Sequence, residues 1–285
     1  MTDRPRVLVG IDGSEDGIRA ARYGIGRALA SGADLWFANA VDDGVSTGGW
    51  GVIYDPAVLK EAGDAAVAQA SELAVAKGVP ADRIRTDVVI GSPASVLSEF
   101  SRQAEILIVG RRASTGLERM FVGSTSTSLV SVSYCPLIVI SAASTPEATG
   151  KFQKITVALG HSGDTALRWA CKEAQSRGFQ VDVLHVFPNQ LRVGLVQATA
   201  QQEKEWLERV QAGLEEIVGP VRADFPELSI TLRSPRGVLA DELIQESAHV
   251  DLLVLGIRPR ATGMVPGPVR GVLAHSSCPV ALITR

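Results

Sequence analysis

Cysteine is scarce in this chain. Three residues, at 135, 171 and 278, cannot all pair with one another, and none forms a Cys-x-x-Cys pair. Two of them open apolar runs as Cys-Pro, which suits buried thiols in a reducing cytoplasm better than a disulfide framework. Histidine is nearly as rare, with four residues at 161, 185, 249 and 275 and no His-x3-His spacing, so a dedicated metal site is not expected. His185 falls within a predicted strand and reads as a core histidine, whereas His161 falls at a strand end, where a ligand could be met. Neither sign of charge dominates: 28 Lys and Arg stand against 31 Asp and Glu, a net of −3. Bulk attraction to nucleic acid or to an anionic membrane is thereby excluded. No apolar run approaches the roughly 18 residues needed to span a bilayer, and the opening MTDRPRVLVGIDGSEDG lacks the apolar region of a secretory leader. Also missing are a Gly-x4-Gly-Lys-Ser/Thr loop, a Gly-x-Gly-x-x-Gly after the first strand and a Gly-x-Ser-x-Gly elbow. Those absences argue against a P-loop NTPase, a dinucleotide dehydrogenase and an α/β-hydrolase.

What the chain does contain is a duplication. Over 285 residues, 46% of them hydrophobic, the first half is echoed by the second in the same order. Arg6-Val-Leu-Val-Gly-Ile-Asp is answered by Lys154-Ile-Thr-Val-Ala-Leu-Gly, and Gly91-Ser-Pro by Arg233-Ser-Pro. Glu105-Ile-Leu-Ile-Val-Gly is answered by Asp251-Leu-Leu-Val-Leu-Gly, and Cys135-Pro by Cys278-Pro. Each half reads as five short strands alternating with helical segments: 6–11, 34–41, 85–89, 105–110 and 136–140, then 154–159, 180–187, 228–232, 251–256 and 278–283. Continuously apolar strands imply burial on both faces, hence an α/β fold of two tandem, open, parallel-sheet domains of the Rossmann-like kind. Helix starts are expected at Ser14, at Ser92 with Pro93 in the first helical position, and at Ser124. The small, polar stretch 141–150 marks the boundary between domains at 1–142 and 151–285. Glycine-rich Asp42–Asp55 reads as a connector after the second strand that could fold over a ligand, and 191–218 as a mostly helical connector.

Ligands of open α/β sheets sit beyond the carboxyl ends of the strands. In the first half those ends are Ile11-Asp12-Gly13-Ser14, Ala40-Val41 and Val109-Gly110. A loop then leads to Gly123-Ser124, where backbone N–H groups at a helix start make an anion site. A carboxylate at one end of a crevice and a helix N-terminus at the other suit a nucleotide: the first accepts from ribose hydroxyls or an adenine amino group, the second meets phosphates.

From Gly110 the chain runs Gly110-Arg-Arg-Ala113, nine residues, then Gly123-Ser124, close to a Gly-x2-Gly-x9-Gly-Ser/Thr pattern. With Val-Gly-Ile-Asp12-Gly-Ser, Gly91-Ser-Pro and Cys135-Pro-Leu-Ile-Val-Ile, it resembles the universal stress protein family, as two tandem domains over the whole chain. The resemblance implies an adenine-nucleotide site. Asp12 would contact ribose or adenine, Val41 the base through its backbone, and Gly110, with Arg111 beside it, would pass beneath the ribose and phosphates. Gly123, Ser124, Thr125 and Ser126 would donate to the phosphates. Ala113 stands where the family has a second glycine, so that contact is in doubt, and Gly116 nearby could supply the freedom. The resemblance also implies that the two halves pair edge to edge as an intramolecular pseudo-dimer related by a pseudo-two-fold axis. A homodimer of whole chains and an unidentified protein partner stay open.

The second half has lost most of this. Gly160 replaces Asp12, Pro259 replaces Ala113, and Val269-Arg270 replace Gly123-Ser124. Prolines 259, 266 and 268 remove three backbone donors, so ATP binding is expected in the first half only. The resulting reading is a cytoplasmic stress-response module that binds or senses ATP, with AMP or cyclic AMP as alternatives and Mg²⁺ arriving on the phosphates. A slow ATP hydrolase and an interaction protein with a vestigial nucleotide site are the other readings.

Overall fold

The computed structural model describes residues 4–41, 56–111, 123–140, 143–144, 150–160, 164–193, 196–258 and 265–284. The first half runs β1 (Arg6–Gly10), α1 (Glu15–Ser31), β2 (Asp34–Val41), α2 (Pro56–Ala76), β3 (Ile84–Ile90), α3 (Pro93–Ser101), β4 (Ile106–Gly110), α4 (Ser124–Val132) and β5 (Leu137–Ile140). The second runs β6 (Lys154–Ala158), α5 (Thr165–Arg177), β7 (Gln180–Leu184), β8 (Arg192–Val193), β9 (Val196–Gln197) and α6 (Ala200–Asp224). It closes with β10 (Ile230–Arg233), α7 (Leu239–Glu246), β11 (Leu252–Ile257), α8 (Gly267–His275) and β12 (Val280–Thr284).

Helix boundaries follow local chemistry. Ser14 caps α1, its hydroxyl accepting from the Gly17 N–H at 3.0 Å, and Gly32 ends the helix in the left-handed conformation at φ 68°. Ser92 is the N-cap of α3, with Pro93 next. For α4 the cap is Gly123, and Ser124 is the first helical residue. The stretch 191–218 is mostly helical as expected, except at its start, where β8 and β9 form a small antiparallel hairpin. A Thr199–Gln202 capping box then starts α6. β7 ends at Leu184, earlier than its apolar run suggested.

Ten strands form one sheet in the order β10-β7-β6-β11-β12-β5-β4-β1-β2-β3. Within each half all neighbours are parallel, and the halves meet where β5 and β12 pair antiparallel, Val139 opposite Val280 and Leu137 opposite Leu282. Alternate residues of a strand feed opposite layers: Val7 and Val9 pack with α1 and α2, and Leu8 with α3 and α4. The same division in the second half puts α5 and α6 on one face and α7 and α8 on the other, which is why both faces of each central strand are apolar.

Polar side chains reach between the halves on both faces of the sheet. On the α1/α5 face, buried Arg27 pairs with buried Glu173. Arg177 also reaches Glu173 at 3.0 Å and donates to the Tyr23 hydroxyl at 3.1 Å; burial pushes that hydroxyl above its usual pKa. On the opposite face, Arg111 Nη1 donates to the carbonyl of Ala274 near the end of α8. None of the described helices is long and apolar enough to cross a membrane.

Candidate nucleotide site

The ends of β1, β2 and β4 open into a cleft of about 590 Å³, lined by Ile11, Asp12, Ala38, Ala40, Pro93, Leu97, Gly110, Arg111 and the start of α4. At its floor the Ile11 N–H donates to Ala38 at 2.8 Å, and the buried Asn39 amide donates to the Ile11 carbonyl at 2.6 Å. The backbone is thus fixed just ahead of Asp12. Gly13 then turns left-handed, at φ 77°, as an L side chain rarely would. That turn brings the Ser14 N–H to 3.0 Å and the Ser14 hydroxyl to 2.6 Å from Asp12 Oδ1. Asp12 is therefore not the cap of α1; it orients the residue that is. Asp12 is exposed at the mouth of the cleft, and partial desolvation by the atoms around it raises its carboxyl above the ordinary pKa, the Ser14 hydrogen bonds offsetting part of that effect.

The far wall is the N-terminus of α4. The Gly123 N–H donates to Arg111 O at 2.9 Å, and the Ser126 hydroxyl donates to the same carbonyl at 3.1 Å. A Cβ on Gly123 would come within 2.8 Å of that oxygen, so the closure requires glycine. Ser124 and Thr125 line the cleft at the first turn, where helical N–H groups have no partner within their own helix. At Gly110 the constraint comes from the protein itself: a Cβ would lie 2.7 Å from the Asp16 carbonyl carbon. This glycine lets β4 pack against the first turn of α1.

Of the expected residues, Asp12, Gly110, Arg111, Gly123, Ser124, Thr125 and Ser126 come together around one cleft. Val41 does not join the lining; its side chain is buried and its carbonyl accepts from the Gly91 N–H at 2.8 Å. Ala113 and Gly116, like the connector at 42–55, lie outside the described residues. Sequence reasoning missed the apolar wall of Ile11, Ala38, Pro93 and Leu97, and also Asn39. The wall carries no motif, although its positions follow from strand ends and the start of α3. Arg111 was expected beneath the phosphates; its guanidinium instead reaches across to Ala274 in the second half.

The equivalent crevice of the second half differs in kind. Gly160 and Gly256 line it, but α8 starts with Pro266 as its cap and Pro268 in its first turn. Val269 points into the space, while Arg270 is exposed and outside the lining. His161 and Pro259 lie outside the described residues. The three cysteines are free and buried. Burial pushes Cys135 and Cys278 up to about 12 and Cys171 to about 11, which removes them as nucleophiles near neutral pH. No group of three or more metal-ligating side chains occurs among the described residues.

The sequence profile of the universal stress protein family matches residues 4–141 and again 151–284. The chain belongs to the universal stress protein family. A universal stress protein of Mycobacterium tuberculosis is 28% identical over 300 residues, covering 98% of this chain and 96% of its own length. A universal stress protein of Mycolicibacterium smegmatis is 27% identical over 293 residues, with the same coverage. Among solved structures, a universal stress protein from Archaeoglobus fulgidus superposes with a TM-score of 0.70 at 16% identity, over 98% of this chain and 96% of the other. At that identity the likeness speaks for the fold of the tandem universal stress protein, and its chemistry has to be argued from its own residues.

Proposed function

We propose that the first domain, residues 1–142, binds an adenine nucleotide, while the second, 151–285, does not bind it in that manner. ATP is the leading ligand, and AMP and cyclic AMP are the alternatives. The carrying observation is one cleft with Asp12 on one side and the first turn of α4 on the other. Asp12 would accept hydrogen bonds from ribose hydroxyls or the adenine amino group. The N–H groups of Ser124, Thr125 and Ser126 would receive the phosphates, and the helix dipole favours that charge. The alkyl wall of Ile11, Ala38 and Leu97 gives the adenine ring an apolar contact. Mg²⁺ would arrive bound to phosphate oxygens.

No described residue in the cleft pairs a nucleophile with an oriented base, so the reading is occupancy rather than turnover. A filled site changes the surface between β4 and α4 that a partner meets during a cytoplasmic stress response. Arg111 gives the vestigial-site reading a foothold, because its guanidinium is engaged with Ala274 rather than held for phosphate.

Titration of the full chain with ATP, AMP and cyclic AMP tests the proposal. Saturable 1:1 binding is expected, weakened about tenfold or more by Asp12→Ala, the scale of a hydrogen bond to a charged group. Retained nucleotide would also shift the absorbance of the purified protein toward 260 nm. Binding that Asp12→Ala leaves unchanged, or the absence of binding, would overturn the assignment. Measured phosphate release separates a slow hydrolase from a sensor.

A further inference from the structure

The second half keeps a cleft at the place where its nucleotide motif has decayed, and that cleft is larger than the first, about 800 Å³ against about 590 Å³. Its walls are the side chains of Leu159, Val186, Leu239, Leu243, Val269 and Val272, with Pro268 at the mouth of α8. The features that would hold an anion have been replaced by hydrocarbon: no carboxylate at 160, and prolines at the cap and in the first turn of α8. Here the space persists, and among the described residues every lining side chain except His185 is apolar.

Among the described lining residues one is ionisable, His185, just after β7. Its Nδ1 lies 2.8 Å from the carbonyl oxygen of Leu159. A carbonyl can only accept, so Nδ1 carries the proton, and in the neutral ring Nε2 is left as an acceptor. Phe187 packs edge-on against the ring, 5.1 Å between centroids, which fixes its orientation. The rim is apolar as well, since Leu239 is 42% exposed and Val238, just before it, 56% exposed.

We infer that the second cleft binds a neutral, mainly apolar small molecule that carries a hydroxyl, the hydrocarbon body lying among the Leu and Val side chains and the hydroxyl donating to His185. Such a mostly apolar pocket with one placed polar group is the usual form of a small-molecule site. The inference stands apart from the nucleotide reading, because it uses no residue of the first cleft.

The test is titration of the full chain with 1-naphthol, with naphthalene in parallel. Saturable binding of 1-naphthol is expected, tighter than that of naphthalene by about threefold to tenfold, the range of one neutral hydrogen bond. Gly160→Phe would place a ring at the cleft; a Cβ there meets nothing within 4 Å, so the backbone accepts a side chain, and circular dichroism checks that the fold is kept. The variant should weaken 1-naphthol by at least about tenfold. His185→Leu should abolish the preference over naphthalene while leaving naphthalene binding in place. Saturating ATP should not compete. Unsaturable binding, full affinity in Gly160→Phe, equal affinity for the two probes, or displacement by ATP would each overturn the assignment.

Discussion

Asp12 sits under opposed demands. Partial desolvation disfavours its charge, while the Ser14 N–H and hydroxyl favour it, and the desolvation wins. A carboxyl raised in this way takes up its proton at a higher pH than an ordinary aspartate as the solution is acidified. Acceptance from a ribose hydroxyl or an amino group is strongest in the ionised form. Nucleotide affinity should therefore start to fall at a pH above the usual carboxylate range, and Asp12→Asn, which cannot titrate, should show no such inflection. Superimposable pH profiles for the two proteins would remove Asp12 from the site. The same shift bears on stability with a definite sign. The folded state binds this proton more tightly than the unfolded chain, so the stability it contributes is present below the unfolded pKa and is lost as pH rises through the folded one. Asp12 is exposed, so solvent screens most of that cost, and Asp12→Asn is expected to lower affinity with little change in Tm, measured by thermal unfolding without ligand.

At the scale of elements, the site is the place where β4 leaves the sheet and α4 returns to it. Both glycines that bound this excursion are required by backbone contacts within the protein: Gly110 by Asp16, Gly123 by the Arg111 carbonyl. Gly110→Ala should thus destabilise the free protein by roughly 1–3 kcal/mol, the cost of overpacking against backbone that cannot swing aside. Denaturant unfolding in the absence of nucleotide reads it directly. A loss below about 0.5 kcal/mol, within the scatter of ordinary surface changes, would assign the glycine to the ligand instead. The strands were legible because burial on both faces writes an unbroken apolar run, and β1, β2, β4 and β6 begin within a residue of where those runs do. The cap Ser14 was legible because its chemistry is local, and the start of α3 because Pro93 fits the first helical position, Ser92 making no side-chain cap bond. The β8–β9 hairpin was not, since two-residue strands leave no periodicity to read. Val41 was placed at a strand end correctly, but the pairing of its carbonyl with Gly91 depends on a loop arriving from a distant part of the chain. Arg111 could not be read for the same reason: its partner lies in the other half.

For the molecule as a whole, the question is what holds one half against the other. Three residue pairs of β5 and β12 join the sheets, and the α1/α5 seam adds the buried group of Tyr23, Arg27, Glu173 and Arg177. Arg27 and Glu173 occupy the same place in their helices, counted back from the capping glycines Gly32 and Gly178. The duplication therefore brings equivalent positions together across the pseudo-two-fold axis, where two identical domains would oppose like residues. Divergence to opposite charge makes the contact favourable only between unlike halves, a bias toward pairing within one chain. Both guanidinium groups reach Glu173, Arg177 also feels the buried Asp251 carboxylate, and Arg27 Nε is buried without a hydrogen-bond partner. Losing the Glu173 carboxylate should then cost far more than losing one arginine. Glu173→Gln removes the carboxylate paired with buried Arg27, leaves that cation uncompensated, and should cost about 3–5 kcal/mol. Arg27→Met leaves the Glu173–Arg177 pair intact, relieves an unsatisfied nitrogen, and should cost much less. Denaturant unfolding of both variants decides the matter. Equal losses would mean that the seam is held by the strand pairing and apolar packing, with the charges contributing no specificity.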